Sequence, residues 1–294
     1  MNPECQPAND RPRGSLWTRL RSYLVYVPLV YLLTGVLGAV ALLCSLFDRG
    51  GRKQHRIAQF WARGVLRAVG IRVLVAGQEK VQACPAAVYA ANHLSAIDIP
   101  VLYSHIPGQF RIMAKRELFR YPFLGGYLKR SGQIPIVLGD AHASMRSLNR
   151  AGEAVRKGMP LVVFPEGGRS KTGELQDFMG GAFYVAIRAQ VPVIPVAIVG
   201  GYELLPINSF HALPGTVGLV FGEPVPTAGL RLRDSAQLSA RVRVEIARLY
   251  DQFSVGGCQL SVDTPAPAIT DGTCDNQRQH AGGQTDNRQL TTDN

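Results

Sequence analysis

The stretch AAVYAANHLSAIDIP (residues 86–100) decides how the chain folds. Five apolar residues, Ala86 to Ala90, lead into Asn92 and His93, and Asp98 follows the histidine five positions later. Three readings of that pair are open: a helix N-cap, a core histidine with a satisfied partner, or a general base with the carboxylate that orients it. Residues five apart on a regular helix point about 140° away from each other. A His93–Asp98 contact therefore requires a turn over residues 93–97, with Asp98 opening or preceding a helix. The stretch then reads strand, turn, helix.

The same alternation continues outward. Short apolar runs predict strands at Ile71–Val75, Ala87–Ala91, Ile134–Val137, Leu161–Phe164, Val193–Val199 and Val217–Phe221. Helical patterns fall near 98–106, 115–130, 142–157, 178–189 and 235–253. The last carries Leu238, Val242, Ile246, Leu249 and Phe253 at spacings of three and four. Strands alternating with helices predict an α/β sandwich. From Thr264 on, Ile269 and Leu290 are the only large aliphatics. Such a segment cannot bury enough apolar surface to offset its ordering entropy, so a disordered polar tail is expected over 263–294.

Residues 22–47, SYLVYVPLVYLLTGVLGAVALLCSLF, contain no charge. As one helix they would measure roughly 39 Å, against a hydrocarbon core of roughly 30 Å. A signal peptide's apolar region is normally about 7–15 residues, so membrane insertion is the expectation. Arg11, Arg13, Arg19 and Arg21 precede the segment, and Arg49, Arg52, Lys53, Arg56, Arg63 and Arg67 follow it. Both flanks are basic, so the positive-inside rule favours a cytosolic C-terminal side only weakly, and with Pro28, Gly35 and Gly38 inside the stretch a re-entrant hairpin with both ends in the cytosol is the alternative to a single span. Residues 56–69 put Arg56, Arg63 and Arg67 on one helical stripe beside Ile57, Trp61, Val65 and Val69. That pattern suits a helix on anionic lipid as well as a domain helix packed on its own sheet. The expected division is a membrane anchor over 1–56, an α/β domain over 57–262, and the tail.

The 294 residues carry a net charge of +11 and are 46% apolar. Residues 111–171 hold twelve Lys/Arg against four acids, which implies an anionic partner. The five cysteines, Cys5, Cys44, Cys84, Cys258 and Cys274, form no C-x-x-C pair and read as reduced thiols in a cytosol-facing protein. No G-x-S-x-G, H-E-x-x-H, G-x-x-x-x-G-K-[ST] or G-x-G-x-x-G is present. Serine-nucleophile hydrolases, zinc enzymes, P-loop ATPases and Rossmann dehydrogenases thereby lose their usual signals, and nothing demands a metal or cofactor. Nucleic acid has charge in its favour but no matching motif.

A second stretch, LVVFPEGGRSKTGEL (161–175), bears on the first. An apolar strand ends at Pro165, and Glu166, Gly167, Gly168 and Arg169 follow. Glycines let backbone N–H groups approach an anion, and an arginine can grip a phosphate with two parallel hydrogen bonds. Alone, the stretch reads equally as a tight turn with a solvated arginine. Together, N-H-x-x-x-x-D after one strand and F-P-E-G-x-R-S after another resemble the glycerolipid acyltransferase family, and more narrowly its bacterial 1-acylglycerol-3-phosphate acyltransferases. KRELFRYPFLG (Lys115–Gly125) is similar to the family's K-x-E-L-x-x-x-P-x-x-G segment, and VIPVAI (193–198) to its final apolar block. The likeness spans roughly residues 57–225.

The resemblance implies a mixed sheet sandwiched by helices, behind an N-terminal membrane-inserted segment. It implies His93 as catalytic base and Asp98 as its partner, with Glu166, Gly167 and Arg169 binding the acceptor's phosphate. Lys115 is a further substrate-binding candidate. The co-substrate implied is acyl-CoA or acyl-acyl carrier protein, and the acceptor is lysophosphatidic acid or another lyso-lipid, such as a lyso-ornithine lipid or a lysophospholipid. The location implied is the inner (cytoplasmic) membrane, on anionic lipid, with the catalytic domain facing the cytosol. A non-catalytic lipid-binding protein on the same fold is the rival, against which the intact His93/Asp98 pair speaks. Two departures stand out: the family usually has Thr at the position of Gly168, and often Arg at that of Leu138.

Overall fold

The computed structural model describes residues 16–255, apart from Arg49, Pro85 and Leu138. The expected polar tail, the most N-terminal arginines and the Leu138 departure lie outside the described residues. In chain order the elements are α1 (Leu16–Arg21), a π-helical turn (Ser22–Tyr26), α2 (Val27–Cys44), α3 (Arg52–Val69), β1 (Ile71–Ala76), α4 (Gln78–Ala83), β2 (Val88–Ala91) and α5 (Asp98–His105). They continue with β3 (Arg111–Lys115), a 3₁₀ turn (Arg116–Arg120), α6 (Leu124–Arg130), β4 (Ile134–Ile136), α7 (Ala141–Arg156), β5 (Leu161–Val163) and α8 (Gly181–Ala189). The last are β6 (Val193–Val199), α9 (Gly201–Leu204), β7 (Gly215–Phe221), a second 3₁₀ turn (Leu232–Asp234) and α10 (Ser235–Val255).

Seven strands form one mixed sheet in the order β1-β7-β6-β2-β5-β3-β4. Only β6 and β7 pair antiparallel; the other neighbours are parallel. Every residue of β2 and β6 is buried, as a strand covered on both faces requires. The two-residue period of the strand sorts their side chains. Tyr89, Ala91, Ile194, Val196 and Ile198 face a core closed by Ala58, Ala62 and Leu66 of α3 and Val101 and Leu102 of α5. Val88, Ala90, Val193, Ala197 and Val199 face the other core, closed by Leu148 and Val155 of α7, Phe183 and Ile187 of α8, and Leu238, Val242, Ile246 and Leu249 of α10.

The predicted helix over 115–130 is not one helix. Lys115 ends a strand, the 3₁₀ turn follows, and α6 begins only at Leu124. Pro122 cannot continue a helix, and Phe123 takes a left-handed φ of 59° to start a new one. Strand β3 escaped the sequence because RIMAK has a charge at each end and only three apolar residues between. Of the predicted apolar stripe on α3 only Val69 is buried, with Ile57, Trp61 and Val65 half-buried; the buried face is carried by Ala58, Ala62, Leu66 and Val69, whereas Arg56, Phe60, Arg63 and Arg67 are exposed. The helix therefore packs on its own domain and turns its basic side outward.

Leu16–Cys44 forms a 29-residue helix long and apolar enough to cross a membrane, and little of it is buried. One side docks on the domain. Thr34 Oγ1 accepts from Trp61 Nε1 at 2.9 Å, Ser22 Oγ donates to the Ala212 carbonyl at 2.8 Å, and Arg130 Nη1 donates to Ser45 Oγ at 3.2 Å. The other side exposes Leu24, Tyr31, Leu32, Val36 and Leu43.

Gly125, in the first turn of α6, packs against the turn that precedes it. A Cβ there would stand 2.3 Å from the Phe119 carbonyl oxygen, which is backbone and cannot swing aside. At Gly126 a Cβ would meet only Leu42 Cδ2, at 3.4 Å. Gly125→Ala is expected to cost about 1–3 kcal/mol by overpacking, and Gly126→Ala much less. Thermal unfolding of the two variants side by side measures the difference; equal melting temperatures would refute the close-approach account.

Candidate active site

Strands β2 and β5 are adjacent and parallel, with Ala90 opposite Val163. The chain therefore leaves both at the same edge, and the two stretches singled out in the sequence emerge side by side. That edge, beyond the C-terminal ends of parallel strands, is where open α/β sheets place their ligands.

Asn92 finishes β2. Its amide stands in for one more rung of the ladder, donating from Nδ2 to the Ile198 carbonyl at 2.9 Å and accepting from the Ile198 N–H at 2.7 Å. Residues 93–97 then turn, and Asp98 is the first residue of α5. Asp98 is fully buried, and its Oδ2 accepts from His93 Nδ1 at 2.9 Å, Leu94 N at 2.8 Å and Ser95 N at 2.9 Å. A carboxylate only accepts, so the proton between the pair sits on Nδ1. The His93 side chain is 16% exposed. Ser95 Oγ donates to the Leu205 carbonyl at 2.7 Å and accepts from Ile97 N at 3.3 Å. It braces the turn.

The stretch after β5 grips the same histidine. Phe164 stacks on the imidazole with centroids 4.0 Å apart and planes at 21°. Glu166 Oε1 accepts from His93 N at 2.7 Å, and Ser170 N donates to the His93 carbonyl at 2.9 Å. Glu166 Oε2 accepts from both Gln176 N and Gln176 Nε2 at 3.1 Å. Burial raises the Glu166 pKa, while the hydrogen bonds from His93 and Gln176 pull it back. Both oxygens of this carboxylate are thus engaged by the protein, where they join two loops. Gly167, with φ at 72°, makes the tight turn and donates to the Phe164 carbonyl at 3.0 Å.

Two cations flank that turn. Lys115, at the end of β3, brings its Nζ to within 3.5 Å of where a Cβ on Gly168 would lie. Arg169 is exposed, with no hydrogen-bond or ion-pair partner among the described residues. His93, Asp98, Glu166, Gly167, Arg169 and Lys115 therefore occupy one edge of the sheet. Among the described residues no three His, Cys, Asp or Glu side chains gather as a metal site would require. The sequence reading missed the Phe164 stack, the Asn92–Ile198 bridge and the Gln176 clamp. The aromatic in F-P-E-G was a signal for the first; Gln176 carried none.

Glu166→Gln keeps only one acceptor oxygen, so its NH2 must face either His93 N or the donors of Gln176. In either orientation at least two N–H groups meet without an acceptor, at about 1–3 kcal/mol for each group left unpaired. The expected result is a lower melting temperature with faster amide exchange at His93 or over 174–178. Wild-type exchange at both places would refute the clamp.

A family model described as Acyltransferase matches residues 72–199. The human 1-acyl-sn-glycerol-3-phosphate acyltransferase beta is 30% identical over 220 residues, covering 74% of this chain and 79% of the human protein. A chloroplastic 1-acyl-sn-glycerol-3-phosphate acyltransferase of Brassica napus is 33% identical over 183 residues, 61% of this chain and 53% of the plant protein. The chain spans about half the length of that relative and of the similar Arabidopsis thaliana protein. Among solved structures, the 1-acyl-sn-glycerophosphate (LPA) acyltransferase PlsC of Thermotoga maritima superposes with a TM-score of 0.66 at 25% identity, covering 80% of this chain and 97% of that one. With its mixed sheet, its two motifs on one edge and these likenesses, the chain belongs to the 1-acyl-sn-glycerol-3-phosphate acyltransferase family.

Proposed function

We propose that this chain is a membrane-bound acyltransferase that moves a fatty acyl group from an acyl thioester to the sn-2 hydroxyl of lysophosphatidic acid, giving phosphatidic acid. The observation that carries this reading is the His93 imidazole, tied through Nδ1 to a buried Asp98 and beside a turn flanked by Lys115 and Arg169. The acceptor's hydroxyl proton passes to His93 Nε2 as its oxygen attacks the thioester carbonyl carbon. The carbon–sulfur bond then breaks, and the thiolate leaves with the proton returned from His93. Asp98 fixes the tautomer and stabilises the imidazolium, the role a carboxylate plays in a serine-protease triad. The acceptor supplies the nucleophile, which fits a site whose serine, Ser95, is spent on the turn.

Arg169 and Lys115 hold the acceptor's phosphate in this reading, with Gly167 shaping the turn; Glu166 supports the turn and the base from behind. The donor is a coenzyme A or acyl carrier protein thioester, and the chemistry calls for no metal or further cofactor. The Leu16–Cys44 helix holds the domain on the cytosolic side of the cytoplasmic membrane, where the exposed Arg56, Arg63 and Arg67 meet anionic lipid.

The test supplies purified full-length protein with an acyl thioester and a panel of lyso-lipids. Acylation of lysophosphatidic acid is expected; acylation of a lyso-ornithine lipid or a lysophospholipid alone would reassign the acceptor, and none at all would favour a lipid-binding role. His93→Ala should lower turnover by about 10²- to 10⁴-fold while the protein keeps its fold. Near-wild-type turnover in that variant would end the catalytic assignment. Arg169→Ala should raise the KM for lysophosphatidic acid far more than that for the thioester, with little change in kcat. Lysine should rescue it only in part, because a point charge cannot reproduce a two-pronged contact. Equal losses toward both substrates would refute the phosphate contact.

A further inference from the structure

Outside its hydrogen bonds, the imidazole of His93 rests on one large surface, the ring of Phe164. The centroids lie 4.0 Å apart and the planes meet at 21°, so the contact is face to face. Phe164 is itself held firmly. It follows the buried strand β5, its ring packs against the core under β2 and β6, and its carbonyl accepts from Gly167 N at 3.0 Å. The following carbonyl, that of Pro165, accepts from Met179 N at 2.8 Å.

A neutral imidazole gains modestly from such a stack, whereas a cation over an aromatic face is attracted by the ring's quadrupole. The gain therefore grows as His93 takes up a proton. We infer that Phe164 is a positioning residue for the transfer: its ring fixes the plane of the His93 imidazole and stabilises the positive charge that the imidazole acquires from the acceptor. This rests on the acyltransferase reading above and adds a second support to Asp98. Asp98 acts in the ring plane through Nδ1, and Phe164 acts on the ring face. An interaction stronger in the transition state than in the ground state acts on kcat and not on substrate binding.

The experiment compares Phe164→Leu and Phe164→Tyr in the full-length protein. Leucine fills similar space without a π face, and tyrosine keeps the face. Phe164→Leu is expected to lower kcat roughly fivefold to thirtyfold, with the KM for both substrates within about twofold of wild type. Phe164→Tyr should retain most of the turnover. A second readout needs no substrate. The ring protons of His93 lie over the Phe164 face, so their NMR signals should carry an upfield ring-current shift. That shift should disappear in Phe164→Leu and persist in Phe164→Tyr.

Wild-type kcat in Phe164→Leu overturns the inference, and so do His93 signals that do not move. Equal losses in both variants with a lowered melting temperature also overturn it, because they mark a packing role alone. If the wild-type protein acylates no lyso-lipid, the acyltransferase reading fails. The His93 signals then still decide the stack, for or against.

Discussion

A buried carboxylate is costly unless its oxygens are hydrogen-bonded, and Asp98 Oδ2 collects three donors within five residues of chain. Two are the backbone N–H groups of Leu94 and Ser95, and the third is the His93 ring. Only a turn can bring all three to one atom, so the carboxylate defines the turn as much as the turn positions the carboxylate. Asp98 also opens α5, where the positive end of the helix favours its charge. The orientation of His93, and hence of Nε2, follows from satisfying that one oxygen.

The second constraint is topological. Parallel pairing of β2 with β5 puts residues some seventy positions apart on the same sheet edge. Once there, the loop after β5 holds His93 from three sides: Phe164 below the ring, Glu166 on the backbone N–H, and Ser170 on the carbonyl. An imidazole held this way would lose little entropy on acting as the proposed base, which is how fixed geometry favours an attack. Glu166 acts through the backbone on the base and through Gln176 on the loop, so one buried carboxylate joins the two halves of the site.

The helical layer over one sheet face bears on where this chemistry happens. α3 packs its apolar residues on the sheet, and α2 docks on α3 through the Thr34–Trp61 hydrogen bond. The remaining surface of α2 is apolar and bare, while Arg56, Arg63 and Arg67 lie exposed on α3. Apolar and cationic surface side by side is what a protein shows to anionic lipid. The same α3 thus serves its own core with one stripe and turns a basic stripe outward: of the two sequence readings of 56–69 the structure shows the domain helix, and contact with anionic lipid is a proposal.

What the sequence determined alone was whatever local chemistry constrains. His93 and Asp98, five positions apart, can meet only across a turn, so the turn was legible as the condition for their contact, as were the central strands, whose unbroken apolar runs can only be buried. The glycine-rich turn after Pro165 was legible for the same reason, and the motifs together pointed to the family. Two things needed the tertiary structure. Strand β3 has little apolar signal of its own and exists because β5 and β4 pair with it on either side. Glu166 looked like a ligand for an anion, yet its oxygens reach His93 and Gln176. Which donors surround a side chain depends on strand order and on the path of distant loops, and neither is written in the spacing of nearby residues.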